Sequence, residues 1–203
     1  MPELVWFAIV VFALTVSPGP GVLYVTARAV SQGRLAGFAS AFGIEFGEVV
    51  WLVAAATGVA ALLSASAGAL TVLRLGGAAY LVFLGIQRWR HAESVEVPRP
   101  APLARLFAQG LVTQLLNPKV SLFFIAFLPQ FVDPARAIAP QVAVLGAIYI
   151  GIALAVDSSY VFASSALGAR LLRSPIAQKR TAQASAATYV AMGVAAAVSG
   201  AKA

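Results

Sequence analysis

Ser17-Pro18-Gly19-Pro20-Gly21 interrupts a run of apolar sequence that otherwise has the length and character of a membrane crossing. Leu4 to Val16 before it is almost wholly apolar, and Val22 to Ala27 after it is apolar again, up to Arg28. Each proline removes a backbone donor and clashes with the preceding turn, and each glycine weakens what helix remains. In hydrocarbon the freed backbone groups have no water to bond, so they face protein or line a wet cavity. A helix broken at membrane depth is therefore a candidate site.

The surrounding composition supports the membrane reading. Of 203 residues, 61% are hydrophobic and 10% charged, with a mean hydropathy of +0.89; a soluble domain carries about a quarter charged residues. The expectation is an all-α integral membrane protein whose main partner is the lipid bilayer. The net charge of +7 does not point to nucleic acid, because the basic residues sit between apolar segments, as the positive-inside rule places them. The absence of cysteine excludes disulfides, thiolate metal sites and cysteine nucleophiles. The single histidine, His91, lies in a charged connector and reads as a solvated residue. Glu3 without a basic cluster does not resemble a cleaved signal peptide, so the first apolar segment is expected to stay as a span.

Segments of about 20 apolar residues suffice to cross the hydrocarbon, and six appear: Leu4 to Ala27, Leu35 to Leu63, Leu70 to Trp89, Leu106 to Val132, Pro140 to Leu172 and Ala184 to Val198. The second is rich in small residues, and Gly43-x-x-x-Gly47 lets another helix approach closely. The same surface is compatible with a homodimer. The fourth holds a second break at Asn117-Pro118-Lys119. Residues 91 to 104, with Pro98, Pro100 and Pro102, read as the linker between repeat one (1–90) and repeat two (105–203) of a single transmembrane domain over 1–203. Arginine and lysine concentrate in alternate connectors, which predicts both termini outside.

The halves resemble each other. The broken first span matches the broken fourth, and Glu48-Val-Val-Trp51 in the second span matches Asp157-Ser-Ser-Tyr160 in the fifth. Three spans in each half make the repeats inverted. Inverted repeats with discontinuous helices in corresponding positions are the sequence sign of a transporter site at the bilayer midplane. Glu48 lies 14 positions beyond Arg34, and Asp157 lies 13 before Arg170. At about 1.5 Å per residue each acid is some 20 Å from its inner boundary, near the middle of a roughly 30 Å core.

Charged groups at that depth are costly and face a cavity, the bundle interior or a partner. Glu45 and Glu48 share a helical face; two poorly hydrated carboxylates so close do not both ionise readily, which suits a proton-coupled or cation-binding site. The plainer alternative is a structural pair, neutralised by Lys119 or hydrogen-bonded. Proton-coupling candidates are thus Glu45, Glu48 and Asp157. Lys119 is placed to bind a substrate carboxylate, to neutralise an acid or to snorkel, and Asn117 to bond a substrate or a freed backbone group. The breaks too have a plain alternative, the kinks that transmembrane helices tolerate. Half-helix N-termini after Pro20 and Pro118 would direct positive dipole ends at an anionic group. The candidate binding set is Pro18, Gly19, Pro20, Glu48, Asn117, Pro118, Lys119 and Asp157. No nucleophile–base pair, histidine cluster or phosphate-cradling loop is visible, so neither an enzyme nor a bound metal or cofactor is expected. On the acids alone, an inorganic cation exporter or channel remains the alternative.

These motifs also resemble the LysE/RhtB family of bacterial amino-acid exporters. The matching stretches are Ser17 to Pro20, Gly33-Arg34-Leu35-Ala36-Gly37 leading into Gly43 to Trp51, Leu75 to Gly85, and Gln109-Gly110 through Asn117-Pro118-Lys119 to Phe131. The resemblance implies a six-helix secondary transporter in the bacterial inner membrane that exports small amino acids or their derivatives, driven by the proton motive force. It carries over to Pro18, Gly19, Pro20, Glu48, Asn117, Pro118, Lys119 and Asp157. The departure is Gly21, where many relatives carry an acidic or amide residue; this argues against a strongly cationic substrate and favours neutral or homoserine-like compounds.

Overall fold

The computed structural model describes residues 2–65 and 99–167, with isolated helical positions between 72 and 90 and between 176 and 194. The expected third and sixth spans, His91 and most of the linker lie outside the continuously described residues. All regular structure among the described residues is helical.

The first break is where the prolines put it. Helix α1 (Pro2–Val16) ends at the Ser-Pro-Gly sequence and α2 (Pro20–Gln32) begins at its second proline, a residue whose fixed φ and missing N–H suit a first helical position. The two are bent by 52°. Helix α2 runs past the expected boundary at Ala27, because Arg28 is buried in a hydrogen-bonded setting rather than released to a connector. It stops at Gly33, whose φ of 84° favours glycine and whose N–H bonds Ala29 O at 3.0 Å. Helix α3 (Arg34–Ala65) follows without interruption.

After the linker, α4 (Leu103–Leu115) and α5 (Pro118–Leu122) flank the second break. Helix α5 continues through a π-helical turn, Phe123–Phe127, into a 3₁₀ turn, Leu128–Phe131, and this whole half is bent by 48° from α4. The last long helix is α6 (Ile138–Leu167). By length and composition α3 and α6 can each cross a membrane, and each bent pair can supply one more crossing.

The Gly43/Gly47 spacing serves the α3–α4 seam. A Cβ on Gly43 would collide with the Phe107 carbonyl, one on Gly47 would lie 2.8 Å from Gln114 Cβ, and one on Gly110 would lie 2.5 Å from Ser40 O. Close backbone approach of this kind replaces the hydrophobic drive that helices lack within lipid. Toward the other end of the bundle the interior is aromatic. Phe7 packs on Phe131 with centroids 5.0 Å apart, and Phe123 and Phe124 meet Tyr149 at 5.2 and 4.9 Å. Ring pairs in this range favour tilted or edge-to-face geometry. The two breaks lie between the glycine seam and the aromatic cluster.

Candidate functional site

At the first break the orphan groups are mostly the carbonyls closing α1. Ser17 N–H satisfies Ala13 O at 3.2 Å. The Lys119 ammonium donates to Leu14 O and to Ser17 O, both at 2.8 Å, and the Tyr160 hydroxyl donates to Val16 O at 2.8 Å. Three carbonyls are thus taken by side chains from the other half of the chain. The start of α2 has no equivalent help: Gly19 is its N-cap and makes no side-chain capping bond.

The second break carries its own cap. Asn117 Oδ1 accepts from Lys119 N–H at 3.1 Å, while Asn117 O accepts from Val120 and Ser121 N–H, both at 3.1 Å. This is the usual duty of asparagine at a helix start. Asn117 Nδ2 donates to Gln114 Oε1 at 3.1 Å, and Gln114 Nε2 donates to Glu48 Oε1 at 2.7 Å.

A cavity of about 30 Å³ lies between the breaks. Its polar lining includes Glu48, Gln114, Asn117, Lys119, Tyr149 and Asp157, and its apolar lining includes Leu14, Val22, Ile44 and Val120. Gly19 and Gly21 bring the first break to its edge. Of the residues singled out in the sequence, Gly19, Glu48, Asn117, Lys119 and Asp157 therefore meet around one space. Pro18, Pro20 and Pro118 shape the bends without lining it, and Pro20 is exposed. Glu45 lies one turn before Glu48, buried, with no hydrogen-bond partner for either carboxyl oxygen among the described residues. Lys119 and Asn117 both bond freed backbone groups, a use the sequence suggested for Asn117 and not for Lys119, and Asn117 bonds the Gln114 side chain as well.

Sequence reasoning missed Gln114 and Tyr149. Gln114 had a legible signal, a polar residue inside an apolar span one helical turn before Asn117. Tyr149 had none, since its position in an apolar run reads as core, and its ring is core as well as cavity wall.

On the glycine-seam side, the end of α2 is tied to the start of α4. Arg28, only 7% exposed, donates to Arg99 O at 2.7 Å and to Gln109 Oε1 at 2.9 Å. Tyr24 OH reaches Leu106 O at 2.9 Å, and Gln32 exchanges two bonds with the Ala101 backbone at 2.9 and 3.0 Å. The cavity is thus bounded by hydrogen bonds at one end and aromatic rings at the other.

Comparison with known proteins places this architecture. The sequence profile of the LysE type translocator matches residues 12–200. The chain belongs to the LysE family. Within it, a relative from Vibrio cholerae described as an uncharacterized membrane protein is 34% identical over 84% of this chain and 85% of its own length. A homoserine/homoserine lactone efflux protein of Salmonella typhimurium is 32% identical over 76% and 78%. A leucine efflux protein of Salmonella choleraesuis is 32% identical over 57% of each chain. No solved structure matches. The stretches that carry the LysE profile include both breaks and both long helices.

Proposed function

We propose that this LysE-family chain is a secondary active exporter of small zwitterionic amino acids or their derivatives, coupled to protons and working in the bacterial inner membrane with both termini outside. The carrying observation is the cavity between the two bent helix pairs, lined by two acids, Glu48 and Asp157, together with Asn117 and Lys119. In this reading the substrate carboxylate meets the N-terminus of α2 at Gly19 to Gly21, within the field of Lys119, and the ammonium group meets Glu48 or Asp157. Pro18, Pro20 and Pro118 hold the bends. Glu45, Glu48 and Asp157 are the candidate proton carriers, and the halves act as inverted repeats that rock about the site.

The cavity volume supports a gated mechanism. At about 10–15 Å³ per water in this measure, roughly two waters fit, so an amino acid enters only when the surrounding helices part. The hydrogen-bonded end, from Arg28 to Gln109, and the aromatic end, from Phe7 to Phe131, are the two surfaces that would open alternately. The small-residue face of α3 is taken up by α4 within the chain, so a homodimer would have to pair through another surface. The alternative, an inorganic cation exporter or channel, would rest on the acids Glu45, Glu48 and Asp157 alone and would leave Asn117 and Lys119 without a ligand to meet.

Counterflow in proteoliposomes tests the reading, with radiolabelled leucine and homoserine leading a panel of amino acids. Substrate-dependent exchange that responds to a pH gradient is the expected result. Absence of exchange for the whole panel, with or without the gradient, sinks it.

A further inference from the structure

A chain of hydrogen bonds that starts at Gln114 joins Glu48 to the second helix break and, through Lys119, to the first. Gln114, 2% exposed in the last turn of α4, donates through Nε2 to Glu48 Oε1 at 2.7 Å and accepts through Oε1 from Asn117 Nδ2 at 3.1 Å. Asn117 caps the second break through Lys119 N–H, and the Lys119 side chain holds Leu14 O and Ser17 O at the first. We propose that Gln114 is a positioning residue that transmits the charge state of Glu48 to both helix breaks. The proposal rests on the export reading and deepens it.

Two features of Gln114 suit this role beyond its position. A primary amide donates to a carboxylate and accepts from a second amide through one rigid group; leucine does neither, and a carboxylate loses the donor. The neighbouring backbone is also cut away around it. A Cβ on Gly47 would lie 2.8 Å from Gln114 Cβ, and one on Gly21 would lie 3.2 Å from Gln114 Oε1. Glycine in α3 and glycine in α2 thus leave the amide its place between the halves.

The bond to Glu48 is the variable link. A carboxylate accepts a charge-assisted bond roughly twice as strong as the neutral bond that remains once the carboxyl carries a proton. Substrate ammonium on Glu48 would compete for the same oxygen. The groups facing Glu48 are Glu45 from α3, Tyr149 and Asp157 from α6 and Lys119 from α5. Glu48 Oε2 and both Glu45 oxygens have no hydrogen-bond partner among the described residues. A proton arriving at the pair therefore has open oxygens to occupy, and its effect reaches the second half of the chain through Gln114.

The test reads conformation separately from transport. The chain has no cysteine, so Ser17→Cys puts a single thiol at the first break, where the native hydroxyl has no hydrogen-bond partner. Its labelling by a small methanethiosulfonate reagent is followed from about pH 6 to 8 in proteoliposomes holding the full chain, with each rate divided by the thiolate fraction measured for that variant. Gln114→Leu is expected to change the labelling rate by about tenfold at one end of this range, matching Glu48→Gln, and the two combined should add less than about twofold. In the same vesicles Gln114→Leu should flatten the pH profile of leucine or homoserine flux. Gln114→Met, which keeps side-chain length, provides a second variant. Labelling at the parent rate at every pH, or effects that multiply in the double variant, overturns the proposal. Failure of both variants to fold also overturns it, by making Gln114 a structural residue. Absence of counterflow by the unmodified protein would instead sink the export reading.

Discussion

The two helix breaks have the same outward form and are held by different chemistry. Each begins a new helix with proline, and their bends differ by only a few degrees, 52° against 48°. The second is locally maintained: Asn117, at the break itself, caps the helix that follows. The first is maintained from a distance. Its freed carbonyls at Leu14, Val16 and Ser17 are served by Lys119 and Tyr160, between 102 and 144 positions along the chain. The difference teaches that a break rich in glycine and proline brings no side chain of its own to replace what it removes. It depends on the fold, and whatever moves the second half of the chain moves the supports of the first break with it.

The largest test of this contrast is Lys119→Met. It leaves two buried carbonyls without their donor, each at a cost of about 1–3 kcal/mol, so thermal unfolding in detergent should show a loss of about 2–6 kcal/mol. Asn117→Ala should cost less, about 1–2 kcal/mol for the lost cap, because one local bond and one bond to Gln114 go rather than a clamp between halves. Equal effects would erase the proposed distinction. Tyr160→Phe removes the single bond to Val16 O at a half-exposed site and should cost about 0.5–1.5 kcal/mol; a value matching Lys119→Met would shift the main support of the first break from α5 to α6.

How much of this was legible in the sequence follows the same local-against-distant division. The breaks, the four acids and amides at depth, and α3 and α6 were readable because proline, glycine and charge within an apolar run are signals that need no tertiary knowledge. The inward spacing of Gly43 and Gly47 was readable as a close contact, but not that α4 supplies the partner. Lys119 was readable as a buried charge needing a partner, but as one for an acid or a substrate carboxylate, since nothing local points to the carbonyls of Leu14 and Ser17. Arg28 misled for the converse reason. A charge next to an apolar segment reads as its boundary, yet bonds to Arg99 O and Gln109 let this one stay buried and α2 continue to Gln32. Gln114 joined residues that the sequence had selected separately, and no spacing rule connects position 48 to 114.

The smallest prediction separates the two kinds of orphan group at the first break. Gly19 has extended backbone dihedrals, φ −118° and ψ −172°, that any residue can adopt, so Gly19→Ser can supply the missing N-cap of α2 without strain. Replacing glycine by serine at an N-cap is worth only a few tenths of a kcal/mol, and a gain of that size in unfolding is expected. The same change placed in Lys119→Met should recover no more than those few tenths. A serine hydroxyl at the N-cap accepts from the free N–H groups of α2, whereas Lys119 donates to the free carbonyls of α1. Donors and acceptors at a broken helix cannot stand in for each other, because each needs a partner of the opposite kind. Full recovery by Gly19→Ser would mean that the free N–H groups of α2, and not the carbonyls of α1, limit the stability of the first break, and that it is held from within after all.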